Sequence, residues 1–72
     1  MSWNYRVTKH SNDRGDEWFE IHSAYYKKGK DVPHSISRNG IYPTGETLEE
    51  LKKDLELMLE ALKKPALDYE EY

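Results

Sequence analysis

The side chains best suited to chemistry in this chain of 72 residues are its three histidines and a glutamate that lies between two of them. His10, Glu20 and His22 have positions that bring them to one face of a two-stranded ribbon, where imidazole and carboxylate groups can bind a metal ion or relay a proton. His34 lies further along, in a separate segment. Because no pair of these residues has the i,i+4 spacing typical of a metal site on a helix, we interpret them as surface side chains and predict no metal and no cofactor.

Other catalytic chemistry has little support in the sequence. The chain has no cysteine, and its serines lie outside the Gly-x-Ser-x-Gly context that activates a nucleophile. The segment from Gly40 to Gly45 has the glycines of a phosphate-binding loop but no lysine, and three glutamates near the start of the following helix would repel an anion. We therefore predict that the protein is not an enzyme.

The size of the chain allows one small domain. A compact monomer of 8.6 kDa leaves about 4,700 Å² accessible to solvent. The net charge is −3, and residues 1–42 carry seven Lys or Arg against five Asp or Glu, whereas residues 43–72 carry four against nine. This balance disfavours tight binding to nucleic acid. The sequence has neither a signal-peptide pattern nor an apolar run of membrane-spanning length, so we predict a cytoplasmic protein without a membrane partner.

Two strands and a tight connection are predicted at the N-terminal end. Apolar and polar residues alternate from Trp3 to Thr8 and again from Trp18 to Tyr26, and the segment Ser11–Asp16 between them consists of turn-forming residues. If the odd-numbered side chains of both strands face the core, paired residues have numbers that sum to 26 or 28. Either register places one mixed aromatic and polar set on the outer face of the sheet: Arg6, Thr8, His10, Trp18, Glu20 and His22.

A third strand and one helix are predicted in the rest of the chain. Residues 32–37 favour a poorer strand, in which Pro33 indicates an edge position. Thr47 and Glu50 form a capping box that starts a helix. Pro65 ends this helix near Lys64, because a residue before proline avoids helical geometry.

These elements predict an α+β domain of two layers, in which one C-terminal helix packs on a three-stranded antiparallel sheet in the order β-β-β-α. Residues 1–65 form the domain, and residues 66–72 form an acidic, aromatic tail. The predicted core joins the inner face of the strands to an apolar stripe on the helix. Its members are Trp3, Tyr5, Val7, Phe19, Ile21, Ile36, Leu48, Leu51, Leu55, Met58, Leu59 and Leu62.

Three segments carry a resemblance to known proteins. Residues 3–7 (WNYRV), 17–22 (EWFEIH) and 47–65 (TLEELKKDLELMLEALKKP) resemble a group of short bacterial and phage-borne proteins to which no activity is assigned. More distantly, the predicted hairpin and residues 45–51 (GETLEEL) are similar to the HicB-like antitoxin core, in which three strands lead into a helix. The second resemblance implies a non-catalytic protein that binds a toxin.

Binding to another protein is the function that the sequence favours. An aromatic outer face is a large apolar area for so small a domain, and such faces are usually covered by a partner or by a second copy of the chain. Tryptophan dominates interface energetics, which makes Trp18 the expected anchor. Leu57 points almost opposite the helix stripe, and it is either a second contact or a lone exposed leucine. The predicted partner-binding residues are Trp18, Glu20, His22, Tyr26, Arg6, His10 and Leu57.

Two alternative functions stay open. One is a HicB-like antitoxin or a phage-borne inhibitor of a host protein. The other is a single-stranded nucleic-acid binder, in which aromatic rings of the outer sheet face stack on bases while Lys27, Lys28 and Lys30 neutralise phosphates. The absence of an RNP-like motif makes nucleic acid the less favoured partner.

Overall fold

The structure is a computed structural model that describes residues 2–72. Its elements in chain order are β1 (Ser2–Ser11), β2 (Glu17–Tyr26), β3 (Ser35–Ile36), α1 (Leu48–Ala61), β4 (Leu67–Asp68) and a 3₁₀ turn (Tyr69–Glu71). The strands form one sheet in the order β3-β2-β1-β4. The predicted α+β class is confirmed.

The hairpin of β1 and β2 has one of the two predicted registers. Opposed residues have numbers that sum to 28, as in the pairs Thr8–Glu20 and Val7–Ile21. The Asn12 side chain shapes the connection, because its Oδ1 accepts hydrogen bonds from the backbone amides of Arg14 at 2.9 Å and Asp16 at 3.1 Å. Even-numbered side chains of the two strands therefore share one face, as the sequence predicts.

The prediction of a three-stranded antiparallel sheet is wrong. A fourth strand, β4, pairs with β1 in parallel, with Thr8 opposite Leu67 and Lys9 opposite Asp68, so the sheet is mixed. The third strand is also shorter than predicted, since only Ser35 and Ile36 pair with β2. The fourth strand forms because the chain turns back at Pro65 and runs along the free edge of β1, where backbone groups need hydrogen-bond partners.

The helix begins as the sequence predicts. Thr47 is its N-cap, and the Thr47 hydroxyl accepts a hydrogen bond from the backbone amide of Glu50 at 3.1 Å. The helix ends at Ala61, slightly before the predicted end near Lys64. It lies against β1, where the Tyr5 hydroxyl donates a hydrogen bond to Asp54.

The predicted core is wrong for half of its members. Val7 and Met58 are buried, together with Ala24, Tyr26 and Ala61. Six of the twelve predicted core residues are instead exposed: Trp3, Phe19, Leu48, Leu55, Leu59 and Leu62. The reason is the rotation of the helix. Asp54 and Met58 face the sheet, and the centre of the exposed leucines lies roughly a quarter-turn further round the helix.

The expectation that the even-numbered sheet face is open to solvent is also wrong. His22 and Thr8 are completely buried, and Arg6, His10 and Tyr26 are nearly so. The covering element is the predicted tail (residues 66–72) together with Pro65, here called the C-terminal segment (residues 65–72). Tyr69 from this segment stacks on His10 with ring centroids 4.3 Å apart. Stacking and the edge pairing of β4 hold the segment on the sheet.

Candidate functional site

The even-numbered face of the hairpin brings together the residues that the sequence singled out for chemistry. The pairing of Arg6 with His22, Thr8 with Glu20 and His10 with Trp18 places these side chains in adjacent positions. His10, Glu20 and His22, here called the histidine cluster, each offer a ligand atom, and these atoms lie within 4.8 Å of one another.

His22 is held in one orientation by the backbone. Its Nδ1 lies 2.9 Å from the carbonyl oxygen of Ser37, which can only accept, so Nδ1 carries a proton and donates it. Its Nε2 lies 3.0 Å from Oε1 of Glu20. The loop after β3 therefore fixes which nitrogen of this buried ring faces the carboxylate.

Glu20 lies between the two histidines. Its Oε1 is 3.0 Å from Nε2 of His22 and 3.5 Å from Nε2 of His10. Its Oε2 accepts a hydrogen bond from the indole Nε1 of Trp18 at 2.8 Å. This indole bond, together with the two imidazoles, holds the pKa of Glu20 below its ordinary value. The carboxylate is therefore charged at neutral pH.

His10 is enclosed by two aromatic rings. It stacks on Trp18 with centroids 5.5 Å apart and on Tyr69 with centroids 4.3 Å apart. Its Nε2 lies 2.7 Å from the Thr8 hydroxyl, and that hydroxyl has a second partner in the Glu20 carbonyl at 3.2 Å. The Tyr69 hydroxyl donates to the carbonyl of Arg38 at 3.0 Å, which fixes the ring that covers the cluster.

The predicted partner-binding residues do not form one open surface. Trp18 keeps 40% of its surface exposed, whereas Tyr26 and Arg6 are buried. The Arg6 guanidinium donates to the Tyr26 hydroxyl at 3.1 Å and to the Pro65 carbonyl at 2.8 Å, which ties it to the C-terminal segment. Leu57 is exposed on the other side of the sheet, beside an apolar pocket lined in part by Trp3 and Tyr5. The rings that would stack on nucleic-acid bases are thus largely covered.

A different surface emerges on the helix. Four leucines, Leu48, Leu55, Leu59 and Leu62, lie within about 60° of one another around α1 and are exposed, Leu48 by 84% and Leu59 by 61%. We call this set the leucine surface. Phe19, 62% exposed, lies on the same side of the sheet as the helix. Sequence reasoning found the leucines but assigned them to the core, because periodicity shows which residues share a face and not what covers it.

The molecule exposes more surface than a compact monomer of the same mass. Its accessible surface is 5814 Å², against about 4,700 Å² for a compact monomer of 8.6 kDa. Its radius of gyration is 13.1 Å, against about 11 Å for a compact chain of this length. The fold is therefore more open than a compact monomer, and the exposed leucines form an apolar area on its surface.

Comparison of the chain with protein-family models, with curated proteins and with solved structures gave no significant match. Among residues 2–72, no helix combines the length and the apolar character needed to cross a membrane.

Proposed function

We propose that the protein is a non-catalytic protein-interaction module that works as a homodimer, with the leucine surface as its interface. The observation that carries this proposal is the exposure of Leu48, Leu55, Leu59 and Leu62 along one side of α1. Burial of a leucine side chain stabilises an assembly by about 1.5–3 kcal/mol relative to exposure. Four leucines on one side of a helix therefore favour association strongly.

The area left uncovered supports a second copy as the partner. The accessible surface exceeds that of a compact monomer by about 1,100 Å². A stable interface of standard size removes about 800 Å² from each partner. Two copies that meet through an interface of this size on their leucine surfaces would remove most of that excess from each chain.

The charges beside the leucines also support a second copy, in an antiparallel arrangement. Glu49 near the start of α1 and Lys63 just after its end flank the leucine surface on the same side, about 40° apart around the helix axis. A two-fold axis that pairs two antiparallel helices brings Glu49 of each chain to Lys63 of the other. Such charges at the rim contribute mainly to the choice and orientation of the partner.

The surface proposed here differs from the sheet face around Trp18 that the sequence favours. Most side chains of that face pack under the C-terminal segment, whereas the leucine surface is open. The general function, recognition of a protein without catalysis, is unchanged. A partner of another kind, including the toxin that the HicB-like resemblance implies, is an outcome of the test below.

The test measures mass in solution. Light scattering after size exclusion should give twice 8.6 kDa for the natural chain. Leu59→Glu should weaken association by on the order of 100-fold, because the two-fold axis places its charge in the interface twice. Val32→Glu is the matched control, since Val32 is an exposed apolar residue outside the leucine surface. A natural chain that stays monomeric at high concentration contradicts the homodimer and directs the search to another protein partner.

A charge exchange tests the antiparallel arrangement. Lys63→Glu should weaken association, because it opposes Glu49 of the other chain, and Glu49→Lys combined with Lys63→Glu should restore it. Lys53→Glu is the control, because Lys53 points away from the leucine surface. Restoration should shrink as salt rises. Equal weakening by the single and double variants contradicts this pairing of the helices.

A further inference from the structure

We propose that the histidine cluster is a binding site for one divalent transition-metal ion, with Zn²⁺ as the ion that suits its ligands best. His10 and His22 each offer a ring nitrogen and Glu20 offers a carboxylate oxygen. Two imidazoles and one carboxylate are a ligand set that Zn²⁺ uses, with a fourth position left for water or another ligand. This site is independent of the leucine surface.

Two of the distances between the ligand atoms match those around a single ion. Zinc–nitrogen and zinc–oxygen bonds of about 2.0–2.2 Å in tetrahedral geometry separate neighbouring ligand atoms by about 3.3–3.5 Å. Oε1 of Glu20 lies 3.0 Å from Nε2 of His22 and 3.5 Å from Nε2 of His10. Both carboxylate–imidazole distances therefore lie within a few tenths of an ångström of those around a bound ion. The two imidazole nitrogens lie within 4.8 Å of each other, and an ion would draw them to about 3.3–3.5 Å.

The protonation of His22 gives the second argument. Its Nδ1 donates to the Ser37 carbonyl, so Nε2 of the neutral ring carries a lone pair. That lone pair faces Oε1 of Glu20, also an acceptor, at 3.0 Å. Two acceptors at this distance require a cation between them, either a second proton on the ring or a metal ion. A ligand histidine whose other nitrogen donates to a backbone carbonyl is the usual arrangement around a protein-bound metal.

His10 can serve as a ligand because its neighbour has another acceptor. Nε2 of His10 is in contact with the Thr8 hydroxyl at 2.7 Å. The same hydroxyl lies 3.2 Å from the Glu20 carbonyl, so it can donate there once Nε2 has turned from Thr8 towards an ion. Metal binding then requires that Nε2 give up its contact with Thr8 and be free of its proton, as for any histidine ligand.

The surroundings of the cluster are also those of a metal site. Trp18 donates to the carboxylate oxygen that does not face the histidines, which orients Glu20 from outside. Trp18 and Tyr69 sandwich His10, and both histidines are more than nine-tenths buried. The two rings shield the His10 side of the cluster from water, which strengthens the attraction of the ligand atoms for a cation.

The experiment uses the full chain after chelator treatment and Zn²⁺ alone as the probe. Titration calorimetry should show one ion per chain, and Zn²⁺ should raise the Tm, because an ion that binds the folded state stabilises it. Co²⁺ should give the visible absorption of a tetrahedral ion. Glu20→Gln and His10→Gln should each weaken Zn²⁺ binding at least about 100-fold, more than loss of a residue that only orients a ligand. Glu17→Gln and His34→Gln are the matched controls and should bind normally.

Several results would overturn the site. These are a Tm that Zn²⁺ does not change in the natural chain, unchanged binding by Glu20→Gln, or loss of binding in His34→Gln. Far-UV circular dichroism shows whether each variant is folded. If His10→Gln does not fold, the Glu20→Gln variant decides the question, because Glu20 is half-exposed. A ring spectrum by nuclear magnetic resonance that shows protons on both nitrogens of His22 under excess Zn²⁺ would assign the cation to a proton and reject the metal.

Discussion

The hydroxyl of Tyr5 on β1 donates a hydrogen bond to the carboxylate of Asp54 on α1, 49 residues further along the chain. The other oxygen of Asp54 accepts from the backbone amide of Thr44 at 3.0 Å. One carboxylate thus joins the sheet, the helix and the loop that precedes the helix. This bond turns Asp54 towards the sheet and the leucine surface away from it.

Replacement of Tyr5 by phenylalanine should lower the free energy of unfolding and make it less dependent on pH in the alkaline range. Burial, followed by the bond to Asp54, raises the pKa of Tyr5 to about 12 from 10.0. A raised pKa stabilises the fold at every pH below the pKa that Tyr5 has in the unfolded chain. This stabilisation is lost as the pH rises from 10.0 towards about 12. Urea unfolding of Tyr5→Phe should show a lower free energy of unfolding at pH 7 and a flatter decline through this alkaline range.

Tyr42→Phe is the control for this measurement, because Tyr42 is exposed. The acid side gives a complementary check. The Tyr5 bond, and then the Thr44 amide, hold the pKa of Asp54 below its ordinary value of 3.8, so its stabilisation is present above 3.8 and is lost as pH falls below it. Identical acid and alkaline profiles for the natural chain and Tyr5→Phe would show that the bond does not hold the helix.

Replacement of Tyr69 by alanine should detach the C-terminal segment from the sheet. The ring stacks on His10 and lies 5.3 Å, centroid to centroid, from the ring of His22. Its loss should lower the free energy of unfolding by on the order of 2 kcal/mol. Hydrogen exchange should then become faster at the amides of β4 and at Thr8 and Lys9 opposite them. Tyr72→Ala, in the same segment, should cost clearly less, and an equal loss from both variants would argue against stacking as the cause.

Replacement of Thr47 by alanine should weaken the start of the helix. The Thr47 hydroxyl accepts from the Glu50 amide, and loss of such a cap costs about 1 kcal/mol. Thr44→Ala is a close control, because Thr44 bonds to Asp54 through its backbone amide, which the substitution keeps. Chemical denaturation followed by circular dichroism measures the difference between the two variants. A cost of Thr44→Ala as large as that of Thr47→Ala would contradict the assignment of the cap.

Local chemistry explains what the sequence predicted correctly. The alternation around Val7 and Ile21 limits the hairpin to registers that keep the same side chains on one face, and the structure has one of the two predicted. The helix start is fixed locally, because the Thr47 side chain accepts a hydrogen bond from the backbone amide of Glu50. The even numbers of His10, Glu20 and His22 are enough to predict that their side chains share one face.

Long-range packing explains what the sequence missed. A strand pattern defines two faces, and residues 65–72 decide which of them is covered, through an edge pairing that is only two residues long. The helix orientation depends on Asp54, a polar residue that an analysis of apolar periodicity leaves out. The orientation of the His22 ring depends on the Ser37 carbonyl, which no spacing rule identifies.

Replacement of Trp18 by alanine separates the two surfaces that are candidates for protein binding. Trp18 lies on the even-numbered face, where its ring stacks on His10 and its indole donates to Glu20, and the leucine surface lies on the helix. If the helix forms the interface, Trp18→Ala should lower stability while the mass in solution stays that of a dimer. Leu59→Glu should give the opposite result, a monomer of unchanged stability. Its Tm should be close to that of the natural chain measured at a dilution where the natural chain is also monomeric. A folded Trp18→Ala monomer, beside a Leu59→Glu dimer, would move the interface to the sheet face around Trp18.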